Sequence, residues 1–83
     1  MPQLRNWREV SMITPQQIKQ RIESVLSDAS VEVIGDDGVH FEAVVVSPSF
    51  DGKTKLNQHR MVYDALGDMK ADIHALAIKT KIA

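Results

Sequence analysis

The chain has 83 residues, the length of one domain, and a domain of that size hides only about 60–65% of the surface its unfolded chain exposes, which leaves little room for a deep, water-excluding pocket. Hydrophobic residues make up 43% and charged residues 25%, an ordinary globular balance that supports a core without help from a metal or a crosslink. Cysteine is absent and the formal net charge is −1; this excludes disulfides, thiolate metal sites and cysteine nucleophiles, and it removes any bulk attraction to nucleic acid or anionic membrane.

No apolar run approaches the length of a membrane span, and the opening residues MPQLRNWREV lack the apolar centre of a secretory signal. A reducing, cytoplasmic location is expected for a cysteine-free chain. Residues 1–12 read as a flexible N-terminal extension, and residues 13–83 as the folded domain. Trp7, the single tryptophan, falls in the extension and is given no role.

Thr14-Pro15-Gln16-Gln17 is a helix start: Thr14 caps, Pro15 suits the first turn, and Gln17 completes a capping box. Ile18, Ile22, Val25 and Leu26 then form one apolar stripe at helical spacing, with Lys19, Gln20, Arg21, Glu23 and Ser24 on the wet face. The spacing predicts a helix over 15–27. Residues 31–34 form a short β-rich run. Gly35-Asp36-Asp37-Gly38 is a turn, and residues 39–46 form a longer strand with Val39, Phe41, Ala43 and Val45 on one face. The two runs make a hairpin. Ser47-Pro48-Ser49 ends it, and Phe50 is expected to plug the core from the following loop. A second helix is predicted from Thr54 to about Lys70, with Leu56, His59, Val62, Tyr63, Leu66 and Met69 inward. Gly67 either ends this helix or is tolerated within it. Residues 74–80 form the last strand, with Leu76 and Ile78 facing the helices and Lys79 facing water.

The order helix, strand, strand, helix, strand gives an α+β fold. A strand–helix–strand link in one sheet is almost always right-handed and makes its strands parallel. The second and third strands are therefore parallel, the first is antiparallel to the second, and both helices cover one face of a three-stranded mixed sheet.

Three histidines, His40, His59 and His74, stand out as chemistry-bearing groups. Each also has a bland explanation. His59 is in step with Leu56, Tyr63 and Leu66, as a packed helix residue would be. His40 opens the second strand opposite Phe41, as a half-exposed surface histidine would. His74 opens the third strand in phase with Leu76. Parallel strands begin at the same end of a sheet, so His40 and His74 both lie near the 35–38 turn, although on opposite faces. Imidazole is a metal ligand and a proton switch, but two histidines and Asp37 form an incomplete ligand set that a second molecule would have to complete. Gly35-Asp36-Asp37-Gly38 has the letters of the phosphate-contacting loop of KH modules, yet it joins two strands and carries two carboxylates, so it reads as a hairpin turn. Lys53, Lys55 and Arg60 make a modest basic patch, suited to phosphate and equally to a solvated surface. No phosphate-binding glycine loop, serine elbow or paired-histidine zinc motif is present, and the carboxylates are scattered. A binding role is expected rather than an enzymatic one.

His40-Phe41, Val45-Val46-Ser47, Phe50-x-Gly52, Gln58-His59-Arg60-x-Val62-Tyr63-x-x-Leu66 and Ile73-His74-Ala75-Leu76-x-Ile78, in this order and spacing, resemble the BolA family over roughly residues 13–80. The resemblance implies a class II KH-like α+β fold without the nucleic-acid loop. It further implies an adaptor of iron homeostasis that binds a monothiol glutaredoxin and shares a 2Fe–2S cluster with it, the glutaredoxin cysteine and glutathione supplying thiolates. By the same resemblance His74, in the last-strand motif, is the ligand from this chain. A second ligand comes, in some members, from the hairpin as Cys or His. Here that loop carries Asp36 and Asp37, whose hard oxygens suit iron–sulfur ligation poorly, and His40 is the better candidate, since histidine replaces cysteine in Rieske centres. Alone, the chain is expected to retain no cluster and to be a monomer or weak homodimer. Some relatives are transcriptional regulators, so the alternative is DNA binding through Lys53, Lys55 and Arg60.

Overall fold

The structure, a computed structural model, describes residues 13–35, 37, 39–73 and 75–83. The N-terminal extension, Asp36, Gly38 and His74 lie outside the described residues.

Helix α1 spans Pro15–Val25 and starts as its sequence dictates. The Gln17 N–H donates to Thr14 Oγ1 (3.2 Å) and the Thr14 N–H donates to Gln17 Oε1 (2.9 Å), so two otherwise orphaned donors satisfy each other's residue. Ile18 and Ile22 are fully buried. Val25, expected in the same stripe, is exposed, and Leu26 packs against the core in its place; inward positions therefore recur at steps of four from Ile18.

Strands β1 (Ser30–Ile34) and β2 (His40–Val46) pair antiparallel, with Val31 opposite Val45 and Val33 opposite Ala43. Strand β3 (Ala75–Lys81) runs parallel to β2, with His40 opposite Ala75 and Phe41 opposite Leu76. The sheet order is β1-β2-β3, the arrangement expected from the right-handed crossover. Phe41, Ala43 and Val45 are buried on the helix side, while His40, Glu42, Val44 and Val46 alternate onto the other face and stay exposed or half-buried. Val39 precedes β2 and is exposed, so it is not buried with Phe41, Ala43 and Val45. A side chain at Gly35 would put its Cβ 2.6 Å from the Phe41 ring and 2.7 Å from the His40 carbonyl oxygen. Only glycine lets the chain leave β1 this close to the start of β2.

After β2, residues Pro48–Phe50 form one 3-10 turn capped by Ser47, and Phe50 is fully buried as a plug. Helix α2 spans Lys55–Leu66. Gly67 takes a φ of 60° and closes it, a left-handed conformation natural to glycine. The chain continues as a 3-10 segment over Gly67–Asp72, so the α-helix ends earlier than about Lys70. The inward face of α2 also differs from expectation. Gln58, Val62, Ala65 and Leu66 are buried, whereas Leu56 is 64% and Tyr63 40% exposed. The expectation assigned apolar residues inward, and the buried position one turn from Val62 belongs instead to a glutamine. Arg21, expected on the wet face, is only part-exposed: its Nη1 donates to the Leu66 carbonyl (3.0 Å) and sits 3.6 Å from Asp68, tying α1 to the end of α2. The core is one cluster of Ile13, Ile18, Ile22, Val31, Phe41, Val45, Phe50, Val62 and Leu66 on one side of the sheet.

Candidate functional site

The corner where β2 and β3 begin is built by the hairpin. Asp37 Oδ1 accepts the backbone N–H of Val39 (2.9 Å) and of His40 (2.8 Å), the local bonding by which aspartate stabilises a turn. Its other oxygen, Oδ2, lies 2.8 Å from His40 Nδ1. The backbone N–H of His40 first, then the His40 ring and the Val39 N–H, hold the Asp37 carboxyl well below the usual carboxylate range, because each favours the charged form. The His40 side chain is 68% exposed. Ala75 sits opposite His40 in the ladder and donates its N–H to the Val39 carbonyl (3.2 Å). Ala75 is therefore anchored to this corner. Two residues along β2, Glu42 pairs with Lys79 across the strands (2.9 Å).

The candidate ligands divide accordingly. His40 is at the exposed corner on the helix-free face, and His74 lies outside the described residues. His59 is half-buried within α2, in keeping with a packed helix residue. Among the described residues no three His, Cys, Asp or Glu side chains come together in a way that could hold a metal ion. An exposed imidazole is a nitrogen donor that iron–sulfur centres accept, so the described donors fit a centre completed from outside the chain. A small pocket of about 100 Å³ lies nearby, lined by Tyr63, Leu66, Lys70, Ile73 and Leu76; small-molecule sites are typically about 300 Å³ or larger.

The three basic candidates are not gathered into one site. Lys55 Nζ donates to the Thr80 carbonyl at 2.6 Å, which commits the ammonium to the edge of β3. Arg60 is exposed and, five residues further along α2, lies about 140° around the axis from Lys55. Lys53 is exposed in the preceding loop, where its carbonyl accepts from Gln58 Nε2 (2.9 Å).

Two further constellations escaped the sequence reading. Gln58 is buried and fully used: Nε2 donates to the carbonyls of Phe50 (3.3 Å) and Lys53 (2.9 Å), and Oε1 accepts from Thr80 Oγ1 (2.5 Å). At the far end of β2, buried Ser47 donates to Asp28 Oδ1 (2.8 Å) and Ser49 donates to Asp28 Oδ2. Ser47 Oγ also accepts the Ser49 N–H (3.0 Å). Several motif residues that carry the family resemblance thus serve the fold. The contact of Asp37 with His40 was also missed, although the Asp-x-x-His spacing across a turn was a usable signal.

The pattern of the family described as BolA-like protein matches residues 10–83. The chain belongs to the BolA family. It is 44% identical over 71 residues to Protein BOLA2 of Arabidopsis thaliana, covering 82% of this chain and 76% of that protein. The solved structure of a BolA homologue from Coxiella burnetii superposes with a TM-score of 0.77 at 53% identity, over 86% of this chain and 92% of that one. The DNA-binding transcriptional regulator BolA of Escherichia coli is 29% identical over 79 residues, covering 83% of this chain and 75% of the regulator. This BolA-family domain also shares the two helices and the three-stranded mixed sheet of the solved BolA structures.

Proposed function

We propose that this BolA-family chain is a non-enzymatic adaptor of iron homeostasis, acting in the cytoplasm, that binds a monothiol glutaredoxin and shares a 2Fe–2S cluster with it. The family match over residues 10–83 carries the reading. The exposed imidazole at the β2–β3 corner supports it, as does the need of that corner for donors from another molecule. His74 and His40 are the residues that would hold the cluster from this side, with glutathione and the partner's cysteine supplying thiolates. A 2Fe–2S cluster supplies one-electron redox chemistry and a transferable iron–sulfur unit. The chain's own part is to present nitrogen at a fixed place on a rigid sheet and to seat the partner against that corner.

The test is a titration of cluster-loaded monothiol glutaredoxin with this chain, followed by circular dichroism in the visible range. The expected heterocomplex has a spectrum unlike that of the glutaredoxin alone, because nitrogen replaces sulfur on iron. His74→Ala is expected to erase that change, His40→Ala to weaken it, and His59→Ala to leave it. A His74→Ala protein that behaves as wild type removes the last-strand histidine from the ligand set.

The alternative, a DNA-binding regulator, draws its support from the similarity to the E. coli regulator. It requires affinity that falls steeply with salt and depends on Lys53, Lys55 and Arg60. Weak, sequence-independent binding is expected. Tight, site-specific binding at physiological salt that is lost in a Lys53/Lys55 double mutant would replace the adaptor reading with the regulator.

A further inference from the structure

Strand β3 lies at one edge of the sheet. The Ala75 N–H donates to the Val39 carbonyl, and the Lys81 carbonyl accepts from Ser47. Partners alternate along a parallel ladder, so Leu76 and Ile78 turn their backbone N–H and C=O groups outward. Among the described residues nothing bonds those groups. The Leu76 and Ile78 side chains pack against the core and stay half-buried on the helix side. Leu76 also lines the pocket of about 100 Å³, together with Tyr63, Leu66, Lys70 and Ile73. That space is too small for a typical small-molecule ligand and suits one aliphatic side chain. Two of its lining groups are polar, the Tyr63 hydroxyl and the Lys70 ammonium, and among the described residues neither has a hydrogen bond or ion pair. Both can donate to a carboxylate.

We propose that the β3 edge and this pocket together receive the free C-terminus of a partner chain. Its last three residues add antiparallel to β3, its terminal aliphatic side chain enters the pocket, and its carboxylate meets Lys70 and Tyr63. Strand addition at an open edge and capture of a terminal carboxylate are both established modes of peptide recognition. The last residue lies opposite Leu76, so its side chain falls on the same face, beside the Leu76 side chain. Its N–H donates to the Leu76 carbonyl, and the Leu76 N–H gives the carboxylate a third donor. The third-last residue exchanges both bonds with Ile78. Thr80, whose carbonyl already accepts from Lys55 Nζ, is left out. An internal segment would have to carry its acidic group on the next same-face residue, about 7 Å away, which is wider than so small a pocket. A second copy adding its own β3 brings no acid to Lys70, because Ala75–Lys81 contains none. The contact is independent of any shared cluster.

The test uses the full chain without metal. The probe is a pool of N-terminally fluorescein-labelled hexapeptides that end in a free leucine and are randomised upstream. Binding is read by anisotropy and by 15N amide shifts. Saturable binding is expected, with the Leu76 and Ile78 amides among the most shifted. Amidating the peptide C-terminus is expected to weaken binding about tenfold. Lys70→Gln should weaken the free pool by a similar factor and leave the amidated pool unchanged, and Tyr63→Phe should do the same to a lesser degree. N-methylation of the last or third-last residue should abolish binding, whereas N-methylation of the penultimate residue, whose N–H points away from β3, should not. No saturable binding up to about 1 mM overturns the proposal. Equal binding of free and amidated pools also overturns it, in favour of an internal segment. Equal loss from all three N-methylations refutes strand addition. Leu76 and Ile78 amides that shift with the concentration of the peptide-free chain would assign the edge to a second copy instead.

Discussion

At its C-terminal end β2 runs into Ser47, a fully buried residue bound to Asp28, to Ser49 and to the Lys81 carbonyl. Just beyond it lie Phe50 and the carbonyls gripped by Gln58. At its N-terminal end the same strand starts with His40, solvent-exposed and approached by the carboxylate of Asp37. One end satisfies every polar group against the fold. The other keeps an imidazole at the surface, beside an aspartate that also bonds the backbone of the turn. The contrast teaches where to look for chemistry in a small domain: buried polar residues that lock into the fold serve stability, and an exposed imidazole is the group to test for recognition.

The largest effect should come from the closed end. Phe50→Ala empties a fully buried site and is expected to cost about 3–5 kcal/mol of unfolding free energy in denaturant titration. A loss under about 1 kcal/mol would show that the 48–50 turn repacks and that the closed end is softer than its burial indicates. Next, the two leucines of α2 should separate sharply. Leu66→Ala is expected to cost about 2–4 kcal/mol, and Leu56→Ala to stay within about 0.5 kcal/mol; equal losses would return the inward face of α2 to the one expected from its apolar residues.

Gln58→Ala should cost about 1–3 kcal/mol, because it removes the acceptor of the Thr80 hydroxyl proton and the side-chain donor to the Lys53 carbonyl, and leaves the Phe50 carbonyl with only the Lys53 N–H. A near-neutral result would mean that water replaces the amide. Asp28 gives a pH-dependent effect. Hydrogen bonds from Ser49, then Ser47, lower its folded-state pKa below the ordinary value of 3.8. Its contribution is therefore complete above about that pH and is lost as pH falls through the lower folded value. Asp28→Asn should flatten the acid limb of a stability–pH curve below that point, and an unchanged limb would detach Asp28 from the closed end. The smallest effect belongs to the open end: His40→Ala should move stability by no more than about 0.5 kcal/mol while weakening the spectral change with the loaded partner. A large loss of stability there would erase the contrast.

Much of this was legible in the chain itself. The Thr14–Gln17 capping box, the hairpin, the Phe50 plug and the parallel crossover all follow from local chemistry and handedness, and all are present. The face of α2 was not legible, because hydropathy places a glutamine outside and only tertiary partners make Gln58 an inner residue. Val25 was misplaced for a related reason: a stripe of apolar residues does not say where its helix leaves the sheet. At the candidate site, His40 was visible as an outward strand-opening imidazole. The contact between Asp37 and His40 depends on which oxygen the turn engages, and that needs coordinates.

The ammonium of Lys55 on the Thr80 carbonyl has one more consequence. In β3, Ala75 donates to Val39 and the Lys81 carbonyl accepts from Ser47, so odd-numbered residues bond inward to β2 and Thr80 turns its carbonyl to the sheet's open edge. Such an edge is a template on which another chain can add a strand, and lysine there is a common safeguard against aggregation. A strand arriving at the end of β3 must dislodge a cation already seated on the acceptor it needs. Acetylating Lys55, or replacing it with methionine, removes that obstacle while leaving the sheet itself untouched.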